Sequence, residues 1–157
     1  MNVTPTLVEH EREWILARAD RTVSLINDVR DDLGEVYEAD VGRVTRGQYT
    51  DEVDAVFADG DLAVNVATLV ALLRDLEVDE DYPGFVVDEL LGRELAGMLA
   101  GDGPFRVIGE STFHYTDRYV RDGTAGLDDL DAALAAGFQT RLPGWEWTER
   151  ESPFRPD

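Results

Sequence analysis

Ser111, His114 and Asp117 bring the residue types of a hydrolytic triad into one short segment. The run Gly109-Glu110-Ser111-Thr112-Phe113 also begins like the elbow that exposes a nucleophilic serine. The second glycine of that elbow is replaced by Phe113. The segment alternates like a strand, which would turn Ser111 and His114 to opposite faces. Triads are also assembled from distant parts of a chain. No catalytic residue is assigned here.

Metal chemistry fares no better. Asp79, Asp81 and Gly84 match positions 1, 3 and 6 of a calcium loop, but Pro83 stands at position 5 and Leu90 where the bidentate Glu is needed. Asp59-Gly60-Asp61 fails sooner, with Val64 at position 6. His10-Glu11-Arg12-Glu13-Trp14 opens like the two-histidine zinc helix and ends on Trp14. The chain has no cysteine and no lysine. Thiolate zinc sites, disulfides, a cysteine nucleophile and the lysine of a phosphate loop are therefore excluded. The sequence implies no cofactor.

Two further groups suggest surfaces. Arg106, Arg118 and Arg121 lie in the least acidic stretch, where they would serve as phosphate contacts if 105–121 were the hairpin of a winged DNA-binding domain. Trp145 and Trp147 share one face of an extended segment and could meet a partner.

These residues must be positioned by elements whose pattern is mostly helical. Thr4-Pro5 is a good helix start, and Val8, Ile15, Ala19, Val23, Ile26 and Leu33 form a stripe without an internal Pro up to Gly34. A stripe that long could outrun its own domain, which makes Ile15 and Val23 candidate partner contacts. Tyr37, Val41 and Val44 suggest a further helix or the first one continuing, and Gly47 and Thr50 suggest the end of that one and the cap of the next. Leu62, Val66, Leu69, Leu73 and Leu76 mark a helix apolar nearly all round, the expected centre of the core. Val87, Leu91, Leu95 and Met98 mark another.

After Pro104 the period changes to that of strands over 105–109 and 112–120, with short strands again at 138–142 and 145–148 and a helix around Leu127, Leu130 and Leu134. The expected fold is mainly α with a small β part (α+β). An N-terminal bundle of four to five helices, about 5–101, is followed by a small antiparallel hairpin or sheet with one more helix, about 104–148. Together these make one domain over 1–150, with a tail at 151–157.

Composition sets the physical class. The 157 residues carry 34 Asp and Glu against 14 Arg, a net charge of −20. Leu, Val, Ile and Phe supply 43 residues, above the roughly one fifth below which disorder is expected. Abundant Asp, absent Lys and Val far above Ile resemble the composition of proteins from extremely halophilic archaea. At ~1 M salt the Debye length is about 3 Å, so dense carboxylates hardly repel and keep the surface hydrated. The first residues have neither a basic nor an apolar signal region, and no stretch is apolar enough to span a bilayer, so a cytoplasmic protein without a membrane segment is expected.

The leading functional expectation is a non-enzymatic interaction, adaptor or assembly protein of a halophilic organism, acting on a protein partner or as a homo-oligomer. The alternative is a winged-helix-like DNA-associated regulator. A carboxylate- or metal-dependent enzyme comes third.

Overall fold

The computed structural model describes residues 1–76, 90–102, 104–117 and 125–145. Among them are seven helices and no strand: α1 Pro5–Ala17, α2 Ala19–Tyr37, α3 Arg46–Ala58, α4 Gly60–Asp75, α5 Arg93–Ala100, α6 Pro104–Asp117 and α7 Ala125–Gln139. The expected loop at 77–84 lies outside the described residues.

The expected β part is overturned where it is described. Residues 105–117 lie in α6, and Phe138 and Gln139 close α7. Phe105, Phe113 and Tyr115 together with β-branched Val107, Ile108, Thr112 and Thr116 favour strands intrinsically. Tertiary packing decides otherwise. Gly109, Thr112, Phe113 and Thr116 are buried, spaced three, four and seven residues from the first, which is one helical face. Two of the four are threonines whose hydroxyls donate back to their own helix, Thr112 Oγ1 to the Ile108 carbonyl at 2.8 Å and Thr116 Oγ1 to that of Thr112 at 2.6 Å. A polar type thus fills a dry face with no outside partner.

The centre of the core is α7, not α4. Every residue from Leu130 to Gln139 is buried, and α2, α4, α5 and α6 all pack on it. Its run of alanines and Gly137 reads as weakly apolar, yet small side chains let neighbours approach on all sides. A Cβ on Gly137 would lie 2.6 Å from Leu99 Cβ, and one on Gly109 would lie 2.6 Å from Ala100 Cβ. On α4 the buried face is Ala63, Val66, Ala67, Val70, Ala71 and Leu73, with Leu62, Leu69 and Leu76 only partly covered. One continuous apolar cluster draws on all seven helices, from Ile15 and Ile26 through Tyr49, Val53, Val70, Leu95 and Phe113 to Leu134 and Phe138.

The stripe expected as one long helix is broken at Arg18, where α1 ends and α2 begins. Asp131, buried on α7, accepts both Nε and Nη2 of Arg18 and Nε of Arg21. The guanidinium groups of Arg18 and Arg74 both lie over the Trp14 ring, 5.1 and 4.6 Å from its centroid. Arg74 in turn binds both oxygens of buried Glu11. Charge therefore fixes the α1–α2 corner against α4 and α7. Past Gly34 the helix runs on to Tyr37 and closes on Glu38 in the left-handed conformation at φ 49°. Within the stretch expected as helix across 35–46, residues 38–45 form a connection instead, which Asn27 grips through both main-chain groups of Val44. Thr45, rather than Thr50, caps α3, in a reciprocal box with Gln48.

This packing predicts opposite outcomes for one substitution at two glycines. Gly47→Ala meets nothing nearer than 3.9 Å and should stabilise by ~0.4–1 kcal/mol through the unfolded chain. Gly109→Ala drives a methyl into Ala100 and should cost ~1–3 kcal/mol. Chemical denaturation of both variants checks the pair, and equal effects would show that the α5–α6 contact is looser than described.

Candidate functional site

An apolar groove on the described surface has walls from distant parts of the chain. One wall is the start of α1. Thr4 caps it by accepting the Leu7 N–H at 3.2 Å, and Pro5 fills a position whose N–H would have no partner. That cap fixes Val3, Pro5 and Val8 side by side. The other wall is the α3–α4 corner. The chain bends there by 109°, and Asp59 caps α4 by accepting the Leu62 N–H at 3.3 Å. The corner presents Phe57, Gly60, Ala63 and Val64 to the start of α1, enclosing about 440 Å³. Phe57 and Ala63 form a floor continuous with the core, while Val3 and Val64 keep 48% and 41% of their surface exposed.

The rim is acidic. Glu9 lines the groove and shares Arg12 with Asp54, at 2.9 and 2.7 Å. The hydrogen bond to Asp54 is the largest cause of a raised Arg12 pKa, opposed by slight burial and reinforced by the charges of Glu9 and Asp54. A shallower furrow beside it takes in Pro5, Thr6, Glu9, His10 and Glu13. Among the described residues no cluster of three or more His, Asp or Glu is arranged to hold a metal ion.

The sequence-predicted residues fall elsewhere. Ile15 is fully buried, and Val23 is half-buried against the same core. Trp145 is buried, its indole N–H donating to the Gln139 carbonyl at 2.7 Å. Arg106 is held by Glu94 at 3.1 Å and Glu110 at 3.4 Å on α5 and α6. Trp147, Arg118 and Arg121 lie outside the described residues. The hairpin that would have carried Arg106 is replaced by α6. Ser111, His114 and Asp117 share one side of that helix at three-residue spacing, with Ser111 exposed and His114 tilted against Phe113. The groove has no sequence signature of its own, because its residues belong to the start of α1 and to the distant α3–α4 corner, and none of these elements carries a motif. The one sequence signal was Thr4-Pro5, which fixes where α1 begins.

The family model that matches this chain describes a domain of unknown function, DUF7984, over residues 1–157. The chain belongs to the DUF7984 family. A search of curated proteins and of solved structures finds no match. Among the described residues of this DUF7984 chain, no single helix is long and apolar enough to cross a membrane.

One buried group of this DUF7984 protein has a measurable pH signature. Tyr49 on α3 lies edge-on to Phe138, ring centroids 5.1 Å apart. Neither its hydroxyl nor that of Thr22 makes a well-formed hydrogen bond. Burial pushes the Tyr49 pKa far above the ordinary tyrosine range, with the Thr22 hydroxyl and Arg18 opposing and Asp131 adding to the rise. A pKa raised by folding gives stability that is complete below the unfolded value, near 10, and lost as pH climbs beyond it. Tyr49→Phe should be close to neutral at pH 7 and should flatten the alkaline loss of stability above about pH 10. Urea melts across that range measure it. An unaltered alkaline limb would show that Tyr49 ionises without unfolding.

Proposed function

We propose that this protein is a non-enzymatic interaction or assembly factor of a salt-rich cytoplasm, and that it engages its partner through the groove between the start of α1 and the α3–α4 corner. The observation that carries this reading is the groove's construction. Two exposed valines flank a floor of Phe57 and Ala63, and caps at Thr4 and Asp59 hold both walls in place. In concentrated salt long-range charge attraction is screened within a few ångströms, so recognition falls to apolar contact and ion pairs at contact distance. Exposed apolar side chains gathered on an acidic surface suit that condition.

A photoreactive phenylalanine placed at Val64, and separately at Val107 on α6, tests this in molar KCl extracts. Val107 is 62% exposed and lies on a helix that does not line the groove. A discrete adduct is expected from position 64 alone, and it should disappear when Val3 is changed to Ser. The same adducts from both positions would overturn the reading.

A further inference from the structure

We infer that the groove takes a basic amphipathic segment of another protein, one that presents bulky apolar side chains with Arg or Lys beside them. The inference rests on the interaction reading above and adds the chemistry of the partner.

Negative charge stands beside an apolar floor. Glu9 lines the groove, Asp59 and Asp61 flank the lining residue Gly60, Asp54 reaches Glu9 through Arg12, and Glu13 lines the adjoining furrow. All five carboxylate residues are exposed, and Arg12 is the cation that links two of them. An apolar knob seated between Val3 and Val64 therefore has Glu9 in the lining and Asp59 and Asp61 beside Gly60 within its surroundings. A flanking Arg or Lys can form contact ion pairs there, and these are the electrostatic interactions that survive a Debye length of about 3 Å. An acidic flank would be repelled at the same range.

A second copy of the chain suits the groove poorly. It brings another net charge of −20. Among the described residues its arginines already have partners. Arg12, Arg43, Arg46, Arg74, Arg106 and Arg141 each hold a carboxylate, Arg18 and Arg21 share Asp131, and Arg30 binds main-chain carbonyls. Arg93 likewise has an interaction of its own. A different protein, one with an excess of Arg or Lys, supplies the cation more readily. An amphipathic helix laid into a groove is the recurring form of such recognition.

Three synthetic peptides test the chemistry by calorimetric titration of the full chain in molar KCl. The first is a Leu/Arg amphipathic helix, the second has every Arg replaced by Glu, and the third has its Leu face replaced by Ser. The Leu/Arg peptide should bind, the Glu peptide at least about tenfold more weakly, a difference of ~1.4 kcal/mol, and the Ser peptide not at all. Val64→Ser should weaken the Leu/Arg peptide about tenfold, the pair Glu9→Gln and Asp61→Asn should weaken it while strengthening the Glu peptide, and Val107→Ser should have no effect. If the Glu peptide binds the wild-type groove as well as the Leu/Arg peptide does, the basic-partner inference falls and the groove stands. If Val64→Ser and Val107→Ser act alike, the groove itself is the wrong surface. If no peptide binds and Val64→Ser lowers the mass measured by light scattering, the occupant is a second copy and the inference is overturned.

Discussion

Arg30→Met is expected to lower the unfolding free energy by about 3–5 kcal/mol, a large share of the ~5–15 kcal/mol that a domain possesses. Arg30 is fully buried on α2. Its Nε donates to Gln139 Oε1 at 2.5 Å, its Nη2 to the Gln139 carbonyl at 3.0 Å, and its Nη1 to the Gly42 carbonyl at 2.5 Å and to that of Pro143. The guanidinium thereby satisfies the open C-terminal end of α7, where a cation also meets the negative pole of the helix. Gln139 uses its other side-chain group to donate to the Ile26 carbonyl at 3.1 Å. Removing the guanidinium strands several buried acceptors at once, each costing ~1–3 kcal/mol before relaxation. Arg30→Lys should recover little, because one ammonium cannot span the planar fork.

Gly144 makes the same point from the other side. Its φ is 120°, and a Cβ there would lie 2.6 Å from Arg30 Nη1, so Gly144→Ala should be comparably harmful. Urea denaturation of these variants measures the loss. A change under 1 kcal/mol in Arg30→Met would mean that water enters and replaces the guanidinium.

Arg30 also shows where sequence reading stops. It stands four residues after Ile26 and three before Leu33, on the stripe that correctly marked the buried side of α2. A charge at that position reads as an interruption. Nothing local says that four carbonyls, from residues 42, 139, 142 and 143, converge on it. The stripe, the Thr4-Pro5 start and the α4 helix were legible because apolar spacing and caps act within a few residues. The centre of the core was not, since Ala132, Ala133, Ala135, Ala136 and Gly137 contribute by being small, and smallness matters only once neighbours arrive. α6 was read as strands for a related reason. Its dry face is Gly109, Thr112, Phe113 and Thr116, and three of those four carry little hydrophobic signal. The groove was illegible too, because Val3 and Val64 become neighbours only when α1 packs on α4.

Lowering the salt concentration should unfold this protein, and α2 should fail first. A compact chain of 157 residues has a radius of gyration of about 15 Å. At ~0.01 M salt the Debye length is about 30 Å, so every carboxylate acts on every other, whereas at ~1 M it is about 3 Å and distant charges are independent. The clusters should persist, because the carboxylates of Asp131, which holds Arg18 and Arg21, and of Glu11, which holds Arg74, are buried away from solvent ions. Exposed pairs such as Arg43–Asp31 and Arg46–Asp20 contribute ~0–1 kcal/mol each and cannot offset the excess.

On α2 the repulsion is concentrated. Asp28, Asp31, Asp32 and Glu35 follow one another at three- and four-residue spacing on the outer side, where like charges destabilise a helix by ~0.2–0.5 kcal/mol per pair. Asp32 and Glu35 also sit near its C-terminal pole, where negative charge is unfavourable and the last turn holds no basic residue. Far-UV circular dichroism from 3 M to 0.01 M NaCl should record loss of helicity. Hydrogen exchange should show the amides of α2 losing protection before those of α7. Asp28→Asn with Asp32→Asn should restore part of the low-salt stability and change little at 3 M, where screening already removes the repulsion. A flat signal with an unchanged melting point across that range would defeat the reading of this surface as one shaped by salt, and recovery that is equal at both salt concentrations would assign the effect of the two aspartates to something other than charge.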